Sequence, residues 1–321
     1  MSTLVFFKLL TIFVVVAIGW IVGKLKWLGS NDPARTLANA AYYIFVPALL
    51  FRTTARIDFK TMPWGTLVAI FVPMLTMQLM VYAWQRRGLK RGTLPPAGPS
   101  VRAISAVFGN SVQVGIPMAA ALFGETGLAI HLAIVSLHAL VLLSLATTLV
   151  ELDLARASHA DTHLATTLLT TARNTIIHPV VLPVLIGMAW NVAGLPVPKV
   201  ADEILQTLGQ AVVPLCLVLI GMSLAYYGVQ GAAKVAVGLS VLKLLVLPSL
   251  VLVVAHWGFH LTGVPLAVVV MMAAMPIGSN ALIFAQRYRA LEAETTAATV
   301  FSTLAFALTA PLWLAVLSLL A

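Results

Sequence analysis

The chain has 321 residues, of which 61% are hydrophobic and only 9% are charged, and its formal net charge at pH 7 is +9. This number of charged residues is too small to cover the surface of a soluble protein of this size. The composition therefore excludes a soluble protein and predicts an all-α integral membrane protein. The basic excess alone would also suit a nucleic-acid partner, but its placement along the chain argues against one.

Ten apolar segments of about 20 residues follow one another, each long enough to cross the ~30 Å hydrocarbon core of a bilayer. The predicted spans are residues 4–23, 34–52, 62–84, 101–123, 127–150, 173–194, 203–225, 232–257, 264–286 and 297–320. The first is apolar for too long to be a clear signal peptide and lacks an Ala-x-Ala-type cleavage site, so we expect it to be a span. The connections are short and leave no room for a separate soluble domain.

The lysines and arginines divide unequally between the two sides of the predicted bundle. One side collects thirteen, namely Lys24, Lys26, Arg35, Arg86, Arg87, Lys90, Arg91, Arg102, Arg156, Arg173, Lys234, Arg287 and Arg289. The other side keeps four, namely Arg52, Arg56, Lys60 and Lys199. The positive-inside rule predicts a protein of the cell (inner) membrane with both termini on the non-cytoplasmic side. The basic excess then orients the chain, and anionic lipid headgroups are its secondary partner.

The stretch 151–172 is the most polar and predicts a solvated cytoplasmic linker between two five-span halves, residues 1–150 and 173–321. His159 and His163 within it have a spacing that metal ligands use, but no third ligand is fixed nearby, so no metal site is predicted. The single cysteine, Cys216, excludes an intramolecular disulfide and predicts a small buried side chain.

An internal repeat shows in the prolines and glycines. Gly109 follows Pro47 by 62 residues, and Pro276 follows Pro214 by 62 residues. Because each half holds an odd number of spans, the second half must enter the membrane from the opposite side. The pattern predicts an inverted repeat with a substrate site near the midplane, where the halves meet.

Two spans are interrupted in the middle by polar, glycine and proline residues, at matching places in the two halves. The candidate substrate-binding residues are Gly109, Asn110, Ser111, Gln113 and Val114 in the first interruption, and Pro276, Ile277, Gly278, Ser279 and Asn280 in the second. Irregular backbone at this depth survives only inside protein or along a watered cavity, and paired interruptions point to a transporter's binding site.

The free N–H groups at such a break suit an anion, particularly a carboxylate, and we expect those of Ser111 and Val112 to act as donors beside the Asn110 amide. A repeat offset of 167 residues places Gln113 opposite Asn280. The alternative is a pair of kinked helices whose polar side chains only satisfy the broken backbone.

Ionisable residues inside spans are costly and are therefore candidates for function. His138 in the fifth span is a candidate to hydrogen-bond the substrate or to carry a proton, and the alternative is a neutral histidine satisfied by backbone. Lys243 in the eighth span is a candidate countercharge. For His131 and Arg52 we predict only structural roles, and we expect Arg52 to be an interfacial anchor. No acidic residue lies deep in a span, so a sodium ion would have to be bound by backbone carbonyls.

The two interruptions resemble a known family. The segment 109–117, with its asparagine and Gly-Ile-Pro ending, resembles the fourth-span motif of the auxin efflux carrier family. The segment 275–288, with its proline and Phe-Ala-x-x-Tyr ending, resembles the family's ninth-span motif. The family includes plant auxin exporters and bacterial permeases, some of them described as malonate transporters.

The resemblance implies ten spans with the fourth and ninth crossing at their breaks, and transport by an elevator-like movement. It further implies a dimerising scaffold of spans one, two, six and seven and a transport domain of spans three to five and eight to ten. It places His138 where plant relatives carry a glutamine. Plant members have a proline at the position of Gly109, and many have a long cytoplasmic loop that this chain lacks, so the chain resembles the short bacterial members.

The sequence therefore predicts a secondary active transporter of a small organic anion, coupled to a proton or sodium and acting as a homodimer. No constellation of an enzyme active site is found, so neither catalysis nor a cofactor is expected. A channel or a solute sensor built on a transporter fold is the alternative.

Overall fold

A computed structural model describes residues 3–29, 31–56, 63–157, 173, 176–177, 179, 181–227 and 232–320. Within these ranges the regular structure is helical and contains no β-sheet. The α-helices in chain order are α1 (Thr3–Lys24), α2 (Pro33–Ala40), α3 (Val46–Ala55), α4 (Trp64–Lys90), α5 (Gly98–Val107), α6 (Ile116–Ala157), α7 (Val181–Val192), α8 (Lys199–Tyr227), α9 (Ala233–Val241), α10 (Leu247–Val253), α11 (Gly263–Ala273), α12 (Ser279–Arg287) and α13 (Glu292–Ser318).

Six helical segments are long and apolar enough to cross a membrane, so the chain is a multi-pass, all-helical membrane protein. They are Pro33–Ala55, Trp64–Lys90, Leu122–Ala157, Lys199–Tyr226, Ala233–Gly258 and Glu292–Ser318. These six coincide with the predicted second, third, fifth, seventh, eighth and tenth spans. The predicted first and sixth spans contain the shorter apolar helices Val14–Lys24 and Leu182–Val192, and the fourth and ninth are each divided in two.

Two of the long segments are continuous through short π-helical turns. One turn, Ala41–Phe45, joins α2 to α3, and another, Leu242–Val246, joins α9 to α10. A proline, Pro47 or Pro248, lies two residues after the end of each turn. Because proline lacks an N–H and its ring crowds the preceding turn, the backbone widens there instead of continuing as a regular α-helix. The second turn contains Lys243, and π-turns are frequent at functional sites.

Glycines let two pairs of helices pack in close contact. A Cβ on Gly19 of α1 would lie 2.2 Å from the Val218 carbonyl oxygen of α8. A Cβ on Gly187 of α7 would lie 2.1 Å from the Thr54 hydroxyl oxygen of α3. Small residues of this kind are the usual means by which membrane helices approach one another. The helices α1, α2, α3, α7 and α8 form one group, more densely packed within itself than against the rest.

The other helices, α4 to α6 and α9 to α13, form a second group. The Trp313 indole N–H donates to the Leu244 carbonyl at 2.8 Å, which ties α13 to the π-helical turn after α9. The Gln78 amide donates to the Leu142 carbonyl at 3.0 Å, which ties α4 to α6. The two interruptions belong to this second group.

The predicted linker begins later than the sequence indicated. Helix α6 bends at Gly124, whose φ of +61° favours glycine, and then continues to Ala157. Asp153 therefore lies on a helix and is 1% exposed, where Tyr82 donates to it at 2.9 Å and Arg86 and Arg156 pair with it. Asp153 itself is not solvated, because these partners neutralise the carboxylate and let it be buried, whereas Leu154, Arg156 and Ala157 are exposed. Residues 158–172, with His159 and His163, lie outside the described residues.

Candidate functional site

The two interruptions contact each other through their backbones in a short antiparallel β-bridge. The Asn110 N–H donates to the Pro276 carbonyl at 2.8 Å, and the Gly278 N–H donates to the Phe108 carbonyl at 2.9 Å. Backbone groups that the broken helices leave unpaired are thereby satisfied inside the protein, as a low-dielectric environment requires.

The bridge has local two-fold symmetry. Adding 168 to the residue numbers of one half turns each hydrogen bond into the other, so Ser111 corresponds to Ser279. This local pairing differs by one residue from the offset of 167 that the sequence suggested, and it relates Asn280 to Val112 in place of Gln113. Prolines and glycines can occupy neighbouring positions of a turn in the two halves, whereas a bridge fixes a single register.

Two features of the second interruption hold the crossing together. A Cβ on Gly278 would lie 2.8 Å from the Gly109 carbonyl oxygen, so only glycine permits the backbones to approach so closely. The Ile277 N–H donates to the Ser302 hydroxyl of α13 at 3.0 Å. The second interruption is therefore held on one side by the first and on the other by α13.

His131 of α6 supports the first interruption. Its Nε2 lies 2.8 Å from the Ser111 carbonyl oxygen, and because a carbonyl only accepts, Nε2 carries the hydrogen. Gly115 leaves room for the imidazole, since a Cβ there would lie 2.5 Å from Nε2. His131, assigned a minor role from sequence, is thus a positioning residue of the crossing.

A cavity of about 370 Å³, here called the central cavity, lies against the crossing. Seven of the predicted site residues line it, namely Gly109, Asn110, Ser111, His138, Gly278, Ser279 and Asn280. Its other walls include Val135 and Ser136 of α6, Leu49 of α3 and Gln210 of α8. Val114, Pro276 and Ile277 are not among the lining residues, and the side chain of Gln113 lies outside the described part of the structure. The volume is in the range of small-molecule sites.

Asn110 is the most exceptional polar residue of the cavity. It is 5% exposed, and within the described part of the chain its Oδ1 has no hydrogen-bond partner. It also lines a second, lateral cavity of about 320 Å³, whose walls include Trp20 of α1, Leu217 of α8 and Thr303 of α13. Buried amide groups are almost always hydrogen-bonded, so an unpaired one facing a cavity is a candidate to bind a ligand.

His138 is 1% exposed and lies beside the first interruption. Its Nδ1 is 3.5 Å from the Ser111 hydroxyl, and its ring centroid is 4.3 Å from that of Phe108. Its Nε2 has no partner among the described residues. The imidazole therefore retains a nitrogen for a ligand or a proton. In the described structure no backbone group bonds to the ring, as one would if the histidine were only structural.

The N–H donors at the site differ from those expected. The Ser111 N–H donates to the Gly109 carbonyl at 2.9 Å and is not free. Helix α12 begins at Ser279, with Gly278 as its N-cap, and both line the cavity. The first N–H groups of a helix have no intrahelical acceptor and form the positive end of its dipole, so the α12 N-terminus is the better place for an anion.

Arg52, predicted to be an interfacial anchor, lines the central cavity. Its guanidinium donates to both carboxylate oxygens of Asp202, at 2.9 and 3.2 Å, and to the Gln206 side chain at 3.3 Å. Arg56 pairs with the same aspartate at 2.9 Å. The sequence did not indicate this ion pair, because Asp202 lies 150 residues away on α8. Arg52 is the only charged residue among those that line the central cavity.

Lys243 lies behind the floor of the cavity, fully buried, and does not line either cavity. Its ammonium donates to the Ala273 carbonyl at the C-terminal end of α11, where a helix dipole favours a cation. A Cβ on Gly109 would lie 3.4 Å from Nζ, so a single glycine separates the ammonium from the crossing. No group of three or more metal-ligating side chains is found among the described residues.

A bundle of membrane helices whose central cavity is floored by two interrupted helices has the architecture of a membrane transporter. Residues 4–314 match the profile of a family described as "Membrane transport protein". The chain therefore belongs to this family, which is the auxin efflux carrier family that its two motifs resemble.

Two relatives show how far the similarity extends. An uncharacterized transporter of Methanothermobacter thermautotrophicus is 26% identical over 316 residues, which is 96% of this chain and 97% of that protein. The uncharacterized transporter YfdV of Escherichia coli is 28% identical over 123 residues, which is 38% of each chain.

Proposed function

We propose that the chain is a secondary active transporter that moves a small organic anion, a carboxylate, across the cell (inner) membrane. The observation that carries this proposal is the crossing of two interrupted helices at the floor of a cavity of ligand size. Hydrogen-bond donors there come from the start of α12 and from the side chains of Asn110, Ser111, Ser279 and Asn280. Donors at a helix N-terminus, held in place by backbone bonds, suit a carboxylate.

The charges around the central cavity favour an anion. Arg52 lines it, and the carboxylate of Asp202, which pairs with Arg52, is shared between Arg52 and Arg56. Lys243 adds a positive charge behind the floor. A cation would enter against this balance, whereas an anion is attracted by it.

For the architecture we propose ten spans in two inverted repeats, 1–150 and 173–321, joined by a linker within 151–172. In this arrangement α1, α2, α3, α7 and α8 form a scaffold, and α4, α5, α6 and α9 to α13 form a transport unit that slides against it. The packing of α1 on α8 and of α7 on α3 supports the repeat, because the two pairs exchange when the halves are exchanged. The termini would lie on the non-cytoplasmic side, and the resemblance supports a homodimer formed by the scaffold.

The coupling ion that we propose is a proton carried at His138, because its Nε2 is buried beside the cavity without a partner in the described structure. Sodium bound by backbone carbonyls at the interruptions is the alternative. A proton at His138 would add a positive charge beside the bound carboxylate and would favour its occupancy.

Counterflow in proteoliposomes tests the proposed function. Vesicles loaded with an unlabelled mono- or dicarboxylate should accumulate the same labelled solute from outside, because a carrier exchanges the two. A channel would equilibrate the label without stimulation from the opposite side, and a sensor or an enzyme would not move it. A thermal-shift screen chooses the acids beforehand. Absence of counterflow for every acid that stabilises the protein would refute a carrier.

A further inference from the structure

Polar contacts join the scaffold to the transport unit at the end where α2 begins. Arg35 of α2 pairs with Glu292, the first residue of α13, at 2.9 Å and donates to the Gln286 carbonyl at 3.3 Å. The Gln286 side chain in turn donates to the Ser223 hydroxyl of α8 at 2.8 Å. The Arg287 guanidinium lies 5.1 Å from the centroid of the Tyr43 ring.

The central cavity extends to the opposite end of the same helices. Arg35 and Arg52 are 17 residues apart on the continuous segment Pro33–Ala55, which corresponds to about 25 Å at 1.5 Å per residue. At the Arg52 end, Asp202 lies in the first turn of α8, whereas Ser223 lies near its last turn. The polar contacts between the two units thus lie at the Arg35 end, and the central cavity lies toward the Arg52 end.

We propose that the Arg35–Glu292 ion pair is a clamp that sets the balance between the two transport states. The inference rests on the proposed function, because it requires the transport unit to move against the scaffold. Both side chains are partly buried, with exposures of 24% and 17%, so water does not easily replace the pair. Movement of α13 away from α2 must break it, and its contribution is therefore lost in the opposite state.

A second ion pair provides a matched control. Arg102 of α5 binds Glu294 of α13 through two bonds of 2.9 Å, and the two side chains are 15% and 19% exposed. Glu294 lies in the same first turn of α13 as Glu292, but its partner belongs to the transport unit. Breaking this pair removes an equivalent carboxylate without affecting the contact between the two units.

Cys216 supplies a natural reporter of the movement. It is the only cysteine, it is fully buried in α8 of the scaffold, and it lies near the Ser279 side chain of the transport unit. Sliding of the transport unit takes Ser279 away from α8 and uncovers the thiol. The rate at which a membrane-permeant maleimide alkylates Cys216 therefore reports the population of the opposite state.

The experiment compares alkylation rates by N-ethylmaleimide of the full-length protein in membranes. Glu292→Gln and Arg35→Gln should each raise the rate by about tenfold or more, the effect expected when one bond between charged groups is lost from the observed state. Arg35→Gln also removes the bond to the Gln286 carbonyl and the pair with Asp32, so it should be at least as fast as Glu292→Gln. The double variant should be no faster than Arg35→Gln alone, because the Arg35–Glu292 pair is already lost in that variant. Glu294→Gln and Arg102→Gln should keep the wild-type rate.

Three results would overturn the clamp: unchanged rates in the Arg35 and Glu292 variants, equal acceleration in the control variants, or additive effects in the double variant. If a Gln variant does not fold, Arg35→Lys serves instead, because it keeps the charge but loses the fork of donors that also reaches the Gln286 carbonyl, and it should be intermediate. Counterflow measured on the same wild-type membranes distinguishes failure of the clamp from failure of the proposed function. Active exchange with unchanged alkylation refutes only the clamp, and absent exchange refutes the proposed function.

Discussion

Replacing Asn110 by alanine should separate substrate binding from folding. The side chain is 95% buried at the cavity floor, and its Oδ1 has no partner in the described structure, so truncation removes no hydrogen bond seen within the protein. The bond that Asn110 contributes to the crossing comes from its backbone N–H, which alanine retains. We therefore expect expression and melting temperature close to those of the wild type.

The loss should appear in affinity. A hydrogen bond between the Asn110 amide and a charged carboxylate is worth about 1.5–3 kcal/mol. Its loss should therefore raise the dissociation constant by roughly 10- to 150-fold. The measurement is the ligand-induced shift in melting temperature across a concentration series of the acid found by screening, followed by counterflow at saturating acid. Wild-type affinity in Asn110→Ala would show that the substrate does not bind at the crossing.

Ser302→Ala is the matched control, because it changes a buried polar residue at the same crossing without touching the cavity. The substitution leaves the Ile277 N–H unpaired, which costs about 1–3 kcal/mol of stability. Its melting temperature should therefore fall, while any surviving folded protein still binds the acid. If Asn110→Ala instead loses stability as Ser302→Ala does, Asn110 is structural and the kinked-helix interpretation is the better one.

Three other changes test separate parts of the proposal. His138→Gln should flatten a dependence of transport on pH between about 5 and 8, and an unaltered pH profile would remove His138 from coupling. Gly278→Ala should lower the melting temperature and abolish binding, because the new Cβ would lie 2.8 Å from the Gly109 carbonyl oxygen; wild-type behaviour would mean that the crossing is looser than described. Reporter tags near residue 160 and after Ala321 should face opposite sides of the membrane, the first in the cytoplasm, and finding both on one side would contradict the span count.

The positions of both interruptions could be predicted, since clusters of glycine, proline and carboxamide residues inside apolar spans have few structural explanations. The six long membrane helices could also be predicted, because length and apolarity are local properties of the sequence. The register of the crossing could not, because a shift of one residue leaves the pattern of prolines and glycines almost unchanged. Only the bridge shows that Ser111 corresponds to Ser279.

Roles that depend on a distant partner were also beyond the sequence. Arg52 has the position of an interfacial anchor until Asp202 of α8 is placed beside it. Asp153 lies in a polar stretch that predicts a linker, and only the structure shows that Tyr82 and two arginines surround it. His131 could have been suspected, since a second histidine two helical turns before His138 lies on a similar face of the helix.

The two broken helices are joined by main-chain hydrogen bonds, and the side chains that support their crossing, His131 and Ser302, belong to the neighbouring helices α6 and α13. Glycine is required at position 278, but in the described structure no side-chain hydrogen bond of Asn110, Ser111 or Asn280 joins the two interruptions, and the Ser111 hydroxyl contacts His138 of α6. Substitutions at these positions can therefore alter which solute is recognised without first having to be compensated elsewhere in the fold. A junction of this kind allows one scaffold to diversify among many solutes, and the same property makes these three positions the natural sites at which to redirect the transporter by design.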